Sequence, residues 1–404
     1  MNVTIFPSMA RGTVKAPASK SVAHRMMIGA ALAAGESVLR GVEDSEDMLA
    51  TLDCLTALGA AYEKDDDRLT VRGVGGDLSR STGIFPCRES GSTLRFFVPL
   101  ALLKEGTSLF TGAPRLMARG ADVYGQVFAG KGIAMEKSPE GVAFTGRLTA
   151  GDYAVRGDIS SQYITGLLLA LPLTAGDSTL RVLPPVESRP YIDITLGVLR
   201  QFGVAVEETE ENVFHISHGP YRALTADVEG DWSNAAFFYA LNALGGDVTA
   251  TGLSPESLQG DRVCVELLER LQNGFCEVDI AGAPDLGPVL FAAAAALHGG
   301  RFTGTRRLAI KESDRAAAMA QELGKFGVKT QIEENAVTVF LGGLTKPTEP
   351  LCGHNDHRIV MALAVLLTQT GGTIEGAEAV KKSFPGFFTE LKKIRVELKT
   401  KEER

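Results

Sequence analysis

The sequence predicts an α/β fold of two inside-out lobes, each made of three βαβαββ-like repeats with buried helices and outer sheets. The first observation behind this prediction is a repeated apolar segment that ends in glycine and precedes a short strand-like run. Ala30–Gly35 followed by Ser37–Leu39 is its first copy. The glycine that ends each copy recurs at Gly35, Gly106, Gly176, Gly246, Gly300 and Gly372. These glycines stand 71, 70, 70, 54 and 72 residues apart, so six copies fill the chain.

A second repeated pattern is an amphipathic segment that ends in glycine and is followed by a strand, a turn and another strand. Such segments end at Gly59, Gly132, Gly203 and Gly327. The predicted order is Ala60–Glu63, turn Lys64–Arg68 and Leu69–Arg72 after the first glycine, and Val328–Ile332, turn Glu333–Asn335 and Ala336–Leu341 after the last. The acidic residues of these two turns are typical of solvated hairpin tips rather than of metal sites.

The apolar helices are predicted to lie inside the lobes. Ile164–Leu173 and Val289–Leu297 are apolar on nearly every side, which is typical of a helix buried in a protein core. Six repeats of helix, strand, amphipathic helix and hairpin favour two lobes of three. We expect the first lobe to span residues 15–227 and the second to combine residues 1–14 with 228–404. The chain would then cross between lobes near Val14–Lys15 and Ala223–Glu229.

Composition excludes several classes of protein. The 404 residues are 45% hydrophobic and 22% charged, which is typical of globular units and excludes a disordered chain, a coiled coil and a collagen-like fibre. The net charge of −8 argues against a general nucleic-acid coat, so an anionic ligand needs a local basic cluster. Five scattered cysteines indicate reduced thiols in a cytoplasm. No apolar run reaches the roughly 18 residues of a membrane span, and the N-terminus lacks a signal-peptide pattern.

Each apolar helix is predicted to begin at a small polar cluster. Ser, Thr, Asp and Asn side chains cap helices by accepting hydrogen bonds from the N–H groups of the first turn. The six clusters are Ser19–Ser21, Ser90–Thr93, Asp158–Ser161, Asp231–Asn234, Pro284–Asp285 and Asn355–Asp356. Capping alone accounts for Asp231–Asn234, which carries no cation. Lys20 and Arg358 place positive charge where the helix dipole disfavours it, so a bound anion would explain them. Ser160–Gln162 offers a donor set of the size of a phosphate.

Further charges follow the short strand in five of the copies. They are Arg115 and Arg119, Ser188–Tyr191, Asp261–Arg262, Lys311–Arg315, and Lys382–Ser383. If the repeats superpose, these residues all lie at one end of the units. A surface helix could equally carry Lys311 and Arg315 as an i,i+4 pair without any ligand.

The order of these motifs resembles that of the EPSP synthases, also called 3-phosphoshikimate 1-carboxyvinyltransferases. The motifs are Ala16–Ser21, Ser90–Thr93, Ser160–Gln162, Lys311–Arg315, Asn355–Arg358 and Lys382–Pro385. The resemblance implies transfer of the enolpyruvyl group of phosphoenolpyruvate to the 5-hydroxyl of shikimate 3-phosphate, through a tetrahedral intermediate and with release of phosphate. It places the chain in the shikimate pathway to chorismate and the aromatic amino acids. It further implies a cytoplasmic monomer with small-molecule substrates and no metal or organic cofactor.

The resemblance also implies two overlapping sets of binding residues. Those for shikimate 3-phosphate are Lys20, Ser21, Arg25, Ser160, Ser161, Gln162, Ser188, Tyr191, Asp285 and Lys311. Those for phosphoenolpyruvate are Lys20, Gly91, Arg119, Gln162, Arg315, Arg358 and Lys382. Arg25 suits the shikimate carboxylate, and the three serines 160, 161 and 188 suit its phosphate. The chain departs from the usual family pattern at Glu89, Gly120, Arg307 and Ala309, which bears on local geometry and inhibitor response.

The chemistry needs a base for the attacking hydroxyl, a proton for the methylene carbon of phosphoenolpyruvate, and cations for two phosphates. The available carboxylates are Asp285 and Glu312. We expect Asp285 to be the base and Glu312, together with Lys20, to be the acid. Lys20 and Lys382 would help phosphate to leave. The division of the proton transfers among Asp285, Glu312 and Lys20 stays open at this stage.

Residues from different repeats are expected to meet at the ligands. Arg25, Ser160 and Lys311 come from three repeats, so we expect the anions to bind between the lobes and the lobes to close on substrate. The resemblance further implies that glyphosate competes with phosphoenolpyruvate. Gly91 would leave room there that a side chain would fill.

Two alternatives concern similar folds. UDP-N-acetylglucosamine enolpyruvyl transferases resemble a pattern with Lys-Asn near the first helix and a loop cysteine as the acid. Here Ser21 follows Lys20, and no cysteine lies between Pro99 and Gly260. A non-catalytic anion-binding or RNA-end-processing protein built on similar repeats would not require two carboxylates among its cations.

A metal enzyme is a third alternative. Cys352, His354 and His357 are spaced like ligands, and His215 and His218 form a second pair. Neither group has a matching pair at the spacing of a zinc finger. The sequence therefore favours a site without metal, in which His357 helps to position an anion beside Arg358.

Overall fold

The computed structural model describes residues 1–119 and 121–401, with the backbone alone at residue 119. The chain divides into two compact units. Ala18–Glu229 is called the middle unit, and Met1–Pro17 together with Gly230–Arg404 is called the terminal unit. No helix in the described part of the chain is both long enough and apolar enough to cross a lipid bilayer.

The helices of the described residues are of two kinds, α-helices and 3-10 helices. The α-helices, in chain order, are α1 (Lys20–Leu32), α2 (Glu46–Leu58), α3 (Gly91–Ala101), α4 (Pro114–Arg119), α5 (Asp122–Val127), α6 (Ser161–Ala170), α7 (Arg189–Gln201), α8 (Trp232–Ala243), α9 (Cys264–Asn273), α10 (Gly287–Ala296), α11 (Arg315–Lys325), α12 (His357–Thr370) and α13 (Phe387–Lys393). Short 3-10 helices cover Leu171–Leu173, Gly260–Val263, Pro284–Leu286, Arg306–Ile310 and Ala377–Lys382.

The strands are short, as expected for many small sheets. In chain order they are β1 (Asn2–Ile5), β2 (Arg11–Lys15), β3 (Ala34–Arg40), β4 (Ala61–Asp65), β5 (Arg68–Val74), β6 (Ile84–Pro86), β7 (Gly106–Thr111), β8 (Ala134–Ser138), β9 (Gly141–Gly146), β10 (Asp152–Arg156), β11 (Ser178–Leu183), β12 (Val206–Glu210), β13 (Val213–Ile216), β14 (Thr225–Asp227), β15 (Asp247–Thr251), β16 (Glu277–Asp279), β17 (Gly300–Thr303), β18 (Thr330–Ile332), β19 (Ala336–Val339), β20 (Leu351–Cys352), β21 (Gly372–Glu375) and β22 (Leu398–Lys401).

Five four-stranded sheets share one pattern of pairing. Their strand orders are β14-β3-β5-β4, β6-β7-β9-β8 and β10-β11-β13-β12 in the middle unit, and β16-β17-β19-β18 and β20-β21-β1-β22 in the terminal unit. In each sheet the first two strands are parallel and the remaining neighbours are antiparallel. The parallel pair is joined through an apolar helix or a long connection, as parallel strands require.

The fourth copy of the repeat is shorter than the others because it lacks the hairpin. Only Gly274–Cys276 separate α9 from β16, where the other copies place two antiparallel strands. The strand of this copy, β15, instead pairs in parallel with β2 from the start of the chain. This difference accounts for the short interval between Gly246 and Gly300.

The apolar helices are buried in the cores of their own units. Gly287–Ala295 of α10 and His357–Thr368 of α12 are buried without interruption, which agrees with their apolar residues on every side. By contrast, α2 buries one face and ends at Gly59, whose φ of 109° lies in the left-handed region that favours glycine. Each unit has a separate hydrophobic core.

Five of the six predicted helix starts in the described chain are capped as expected. The caps of α1, α3, α6, α8 and α12 are the side chains of Ser19, Ser90, Ser160, Asp231 and Asp356. The sixth cluster behaves differently. Asp285 lies in a 3-10 helix before α10, and no side chain caps α10. Its carboxylate is turned towards cations, as described below.

Candidate active site

The middle unit holds a buried cation without a carboxylate partner. Arg25 of α1 donates from Nε to Thr195 Oγ1 at 2.8 Å and from Nη2 to Thr165 Oγ1 at 3.2 Å. It also reaches the backbone oxygens of Ser21, at 2.5 Å, and Tyr191, at 3.1 Å. Burial lowers the pKa of Arg25 to about 9, so the group is still charged at neutral pH. Among the described residues its partners are neutral, which leaves the charge available to an anion.

Lys20 opens α1 and lies near the surface. Its Nζ is 2.9 Å from Asp47 Oδ2 of α2. Both side chains are mostly buried, with 18% and 12% of their surfaces exposed. Asp47 therefore fixes the position of a lysine that would otherwise oppose the dipole of α1.

Ser160, Ser161 and Gln162 lie together at the start of α6. Ser160 Oγ accepts from the backbone N–H of Gln162 at 3.3 Å. Arg95 of α3 donates from Nη1 to Gln162 Oε1 and lies over the ring of Tyr163, 5.1 Å from its centroid. The Nε of Arg95 is buried without a hydrogen-bond partner. Arg95 thus orients the predicted donor set at this helix start.

Ser188 and Tyr191 lie at the start of α7. Ser188 is buried and has a φ of 56°, an uncommon backbone conformation for serine that is concentrated at functional sites. The backbone oxygen of Tyr191 accepts from Arg25, which ties this helix start to α1. The structure therefore connects Arg25 to α6 through Thr165 and to α7 through Tyr191 and Thr195.

The remaining middle-unit candidates belong to the α3 and α4 segments. Gly91 is the first residue of α3 and follows the cap Ser90. Arg119 ends α4, and both its side chain and Gly120 lie outside the described residues.

In the terminal unit, one buried arginine holds three carboxylates. Arg315, which opens α11, is 1% exposed. Its Nη1 is 2.7 Å from Asp285 Oδ1, its Nη2 is 2.7 Å from Glu312 Oε2, and its Nε is 2.9 Å from Asp356 Oδ2. Burial opposes the charge, but Asp356, Glu312 and Asp285 together raise the pKa of Arg315 well above its usual value.

Asp285 is the carboxylate that faces most cations. Besides Arg315, it contacts Lys311, whose Nζ lies 3.1 Å from Oδ1. The Nη2 of Arg358 lies 3.8 Å from Oδ2. Burial lowers the pKa of Lys311, although the charge of Asp285 works in the opposite direction. Asp285 keeps 20% of its side-chain surface exposed.

Arg358 is the least satisfied cation of this group. It lies in the first turn of α12 and is buried, and its Nε and Nη1 have no hydrogen-bond partner. Buried polar groups are normally hydrogen-bonded, so unpaired guanidinium nitrogens indicate a site for an anion. Asp356, which caps the same helix, accepts hydrogen bonds from Ser313 and Arg315. It does not neutralise the side chain of Arg358.

Lys382 and Glu312 complete the group. Lys382 donates to the backbone oxygen of Asn355 at 2.8 Å, which places it beside the start of α12. Glu312 is 25% exposed and bonds Arg315 on the next turn of the chain. Glu312 is therefore paired with a buried cation rather than with a solvent-exposed one.

Two of the histidines considered for a metal ion contact carboxylates. His354 Nε2 lies 2.9 Å from Glu322 Oε1, and His215 Nε2 lies 3.6 Å from Asp177 Oδ2. Within residues 1–119 and 121–401, no three His, Cys, Asp or Glu side chains are grouped to hold a metal ion. Arg307, one of the departures from the family pattern, is buried and donates to Ala281 O at 2.6 Å.

Sequence reasoning did not assign three residues that the structure places in these groups. Asp47 contacts Lys20, and Arg95 donates to Gln162. Asp356 contacts Arg315, which also holds the candidate base and the candidate acid. Arg95 had a visible signal, because it stands five residues after Ser90 much as Arg25 stands six after Ser19. Asp356 was interpreted only as a helix cap.

Comparisons with known proteins agree with the geometry. A model of the family described as EPSP synthase (3-phosphoshikimate 1-carboxyvinyltransferase) matches residues 6–391. The 3-phosphoshikimate 1-carboxyvinyltransferases of Clostridium kluyveri and of Clostridium perfringens strain 13 are 38% and 36% identical to this chain; each match covers 97% of this chain and, respectively, 97% and 98% of the relative.

Solved structures share the fold. Two structures of EPSP synthase from Acinetobacter baumannii match with TM-scores of 0.80 and 0.81 at 24% and 23% sequence identity. They cover 99% and 100% of this chain and 100% of their own chains. Since the family match spans most of the sequence and relatives align over nearly their full length, the chain belongs to the EPSP synthase family.

Proposed function

We propose that the two groups of residues described above carry out the reaction of the family. The chain is a 3-phosphoshikimate 1-carboxyvinyltransferase of the shikimate pathway, and it transfers the enolpyruvyl group of phosphoenolpyruvate to shikimate 3-phosphate. The observation that carries the residue assignments is the pairing of Asp285 and Glu312 with the buried Arg315, beside the unsatisfied Arg358.

Shikimate 3-phosphate is assigned to the starts of α1, α6 and α7 and to the Asp285–Lys311 pair. Arg25 has a buried charge without an acidic partner, which suits the shikimate carboxylate. Ser160, Ser161 and Ser188 supply hydroxyl and backbone donors for the phosphate at two helix starts. The residues assigned to this substrate are Lys20, Ser21, Arg25, Ser160, Ser161, Gln162, Ser188, Tyr191, Asp285 and Lys311.

Phosphoenolpyruvate is assigned chiefly to cations. Arg358 has Nε and Nη1 without partners among the described residues, and each can donate a charge-assisted hydrogen bond to an anionic oxygen. Lys382 lies beside the same helix start. The full assignment is Lys20, Gly91, Arg119, Gln162, Arg315, Arg358 and Lys382. Arg315 contributes mainly through the carboxylates it holds, because three of them already occupy its guanidinium.

Asp285 is assigned as the base that takes the proton of the attacking hydroxyl. The hydroxyl oxygen then bonds the second carbon of phosphoenolpyruvate, while the methylene carbon takes a proton from Glu312 assisted by Lys20. The tetrahedral intermediate collapses when the C–O bond to phosphate breaks and the methyl group formed in the first step returns a proton to Glu312, which forms the enolpyruvyl double bond. The proton that Asp285 took from the hydroxyl leaves with the phosphate, so both carboxylates are restored. Lys20 and Lys382 offset the charge of the departing phosphate.

We further propose that the two compact units are the two inside-out lobes of three repeats. The shared strand pattern of five sheets and the buried helices of each unit support this assignment. The unit boundaries fall at Pro17 and Glu229, and the lobes are proposed as residues 15–227 and as 1–14 with 228–404. A cytoplasmic monomer is part of the same proposal, and sedimentation velocity measures its oligomeric state.

The test is release of inorganic phosphate from phosphoenolpyruvate with shikimate 3-phosphate as acceptor, with the enolpyruvyl product identified by mass spectrometry. We expect turnover with this acceptor and none with UDP-N-acetylglucosamine. Turnover with the nucleotide sugar instead would overturn the proposal, as would the lack of any product with shikimate 3-phosphate. Glu312→Gln is the matched variant, because it keeps the size of the side chain and removes the acid.

A further inference from the structure

A chain of hydrogen bonds links five polar side chains across three helices of the middle unit. His24 Nδ1 on α1 is 2.6 Å from Thr51 Oγ1 on α2, which is 2.9 Å from Thr93 Oγ1 on α3. Thr93 Oγ1 is 2.8 Å from Ser90 Oγ, the cap of α3, and Ser90 Oγ is 3.3 Å from Ser92 Oγ. The first four side chains are buried, and Ser92 is half-buried at the helix start.

The geometry fixes the direction in which protons point along this chain. Thr93 donates its hydroxyl proton to Ser90. A hydroxyl has one proton, so in the contact between Thr51 and Thr93 the donor must be Thr51. Because Thr51 donates its only proton to Thr93, it must accept in its contact with His24. The Nδ1 atom of His24 therefore carries a proton and donates it to Thr51.

The other side of His24 agrees with this tautomer. Its Nε2 is buried and has no hydrogen-bond partner, as expected for an unprotonated nitrogen that faces apolar groups. The edge of the imidazole packs against the ring of Phe96. Burial, assisted by the charges of Lys20 and Arg25, lowers the pKa of His24 well below its usual value. His24 is therefore a neutral imidazole that donates from Nδ1.

The same reasoning about donors and acceptors applies at the other end of this row of hydrogen bonds. Ser90 Oγ already accepts from Thr93 Oγ1 and from the backbone N–H of Thr93, at 3.3 Å. Its own proton is thus directed to Ser92. Ser92 makes no other side-chain hydrogen bond with the described residues, and because it accepts from Ser90 its own proton is available to another acceptor. A ligand at the start of α3 would receive this proton.

We propose that Ser92 donates a hydrogen bond to phosphoenolpyruvate and that His24, Thr51 and Thr93 are positioning residues that hold its hydroxyl in the donating orientation. The proposal rests on the proposed function, which assigns the neighbouring Gly91 to this substrate. Ser92 is then a binding residue that the family motifs did not assign in this chain. Hydrogen bonds in a row polarise one another, so each donor strengthens the next.

A double-mutant cycle tests the coupling along the chain. Ser92→Ala removes the donor and should raise the KM for phosphoenolpyruvate about tenfold, since the hydrogen bond is to a charged group. Thr51→Val interrupts the chain at a residue that does not touch substrate and should raise this KM about threefold. Thr51→Ser keeps the hydroxyl and should restore it. The KM for shikimate 3-phosphate should stay within about twofold in all variants.

The distinguishing result is non-additivity. In the Ser92→Ala background, Thr51→Val should have no further effect, because the hydroxyl it orients is gone. Thr56→Val serves as a control on the same helix, since within the described part of the chain the Thr56 hydroxyl bonds only the backbone oxygen of Leu52. If Thr51→Val does not fold, Thr93→Val with Thr93→Ser makes the same comparison closer to Ser90.

Two results would overturn this proposal while leaving the proposed function intact. One is a Ser92→Ala enzyme whose KM for phosphoenolpyruvate is within twofold of the unmodified chain. The other is an equal effect of Thr51→Val with and without Ser92, which would make Thr51 merely structural. If the unmodified chain does not turn over shikimate 3-phosphate, the proposed function itself fails, and the substrate assigned to Ser92 fails with it.

Discussion

Removing the charge of Arg315 should lower the free energy of unfolding of the terminal unit far more than removing the charge of a surface arginine. Arg315 is 1% exposed and is the shared partner of Asp285, Glu312 and Asp356. Arg315→Met keeps most of the side-chain volume and removes the guanidinium. The variant therefore leaves three carboxylates without their common cation.

The magnitude follows from the burial of these carboxylates. Asp356 is 0% exposed, whereas Asp285 and Glu312 keep 20% and 25% of their side-chain surfaces exposed. Removing one partner of a buried ion pair costs about 3–5 kcal/mol, because an uncompensated charge remains in the interior. Asp285 and Glu312 are partly exposed, so water can solvate them and they add little to this loss. We expect Arg315→Met to lower the free energy of unfolding of this unit by about 3–5 kcal/mol.

The assay is urea unfolding followed by tryptophan fluorescence. The only tryptophan of the sequence, Trp232, is buried in the terminal unit, so its emission reports this unit. Arg301→Met is the matched control. Arg301 also meets carboxylates, Glu333 at 2.8 Å and Glu277 at 3.3 Å, but on the surface of the same unit. The control should lose much less stability, because ion pairs that water solvates contribute little.

A second substitution tests the cause. Asp356→Asn removes the buried charge and keeps a side chain that caps α12 well. Added to Arg315→Met, it should recover part of the lost stability, although by itself it should destabilise the chain. If the double variant loses the sum of the two single effects, an unpaired Asp356 is not the source of the instability and the argument is refuted.

Three further predictions concern activity and pH. Glu312→Gln should lower kcat by about 10²–10⁴-fold while both substrates still bind in direct titrations; turnover within about tenfold of the unmodified enzyme would remove Glu312 from the mechanism. Gly91→Ala should raise the inhibition constant of glyphosate more than the KM for phosphoenolpyruvate in steady-state competition, and an equal loss for both would refute a steric role. Burial, with the charge of Asp285, raises the pKa of Asp261 to about 6. Because the folded state then holds this proton more tightly than the unfolded state, stability should fall as pH rises from about 4 to above 6. Asp261→Asn should remove this fall and stabilise the unit at pH 7 by up to about 3 kcal/mol, read from Trp232 fluorescence; an unchanged pH profile would contradict it.

Much of the local architecture could be predicted because it depends on neighbours in sequence. The hairpin after Gly59 was expected from its acidic turn and appears as β4 and β5, which pair from Ala61 with Arg72 to Asp65 with Arg68. The buried helices were visible because residues such as those of α10 are apolar on all sides. The pairing of β1 with β21 and β22 could not be read from these patterns, since partners more than 360 residues apart share no local signal.

The sequence identifies the charged residues of the terminal unit, but it does not show which of them contact one another. Lys311, Glu312 and Arg315 were visible as one motif, and the family order implied their importance. Their connection to Asp285 and Asp356 depends on side-chain directions at three helix starts that are far apart in sequence. An arginine interpreted from sequence as a ligand for phosphoenolpyruvate thereby becomes the cation that holds the candidate acid and base in place.

The start of α10 shows why one of the six polar clusters does not cap its helix. Ser19, Ser90, Ser160, Asp231 and Asp356 each accept a hydrogen bond from the first turn of their own helix. Proline stands in the first turn of α10, where Pro288 follows Gly287, so one of the N–H groups that a cap would satisfy does not exist. Pro284 also directs the chain into a 3-10 helix before α10. Asp285 therefore does not cap α10, and its Oδ1 contacts Lys311 and Arg315 instead.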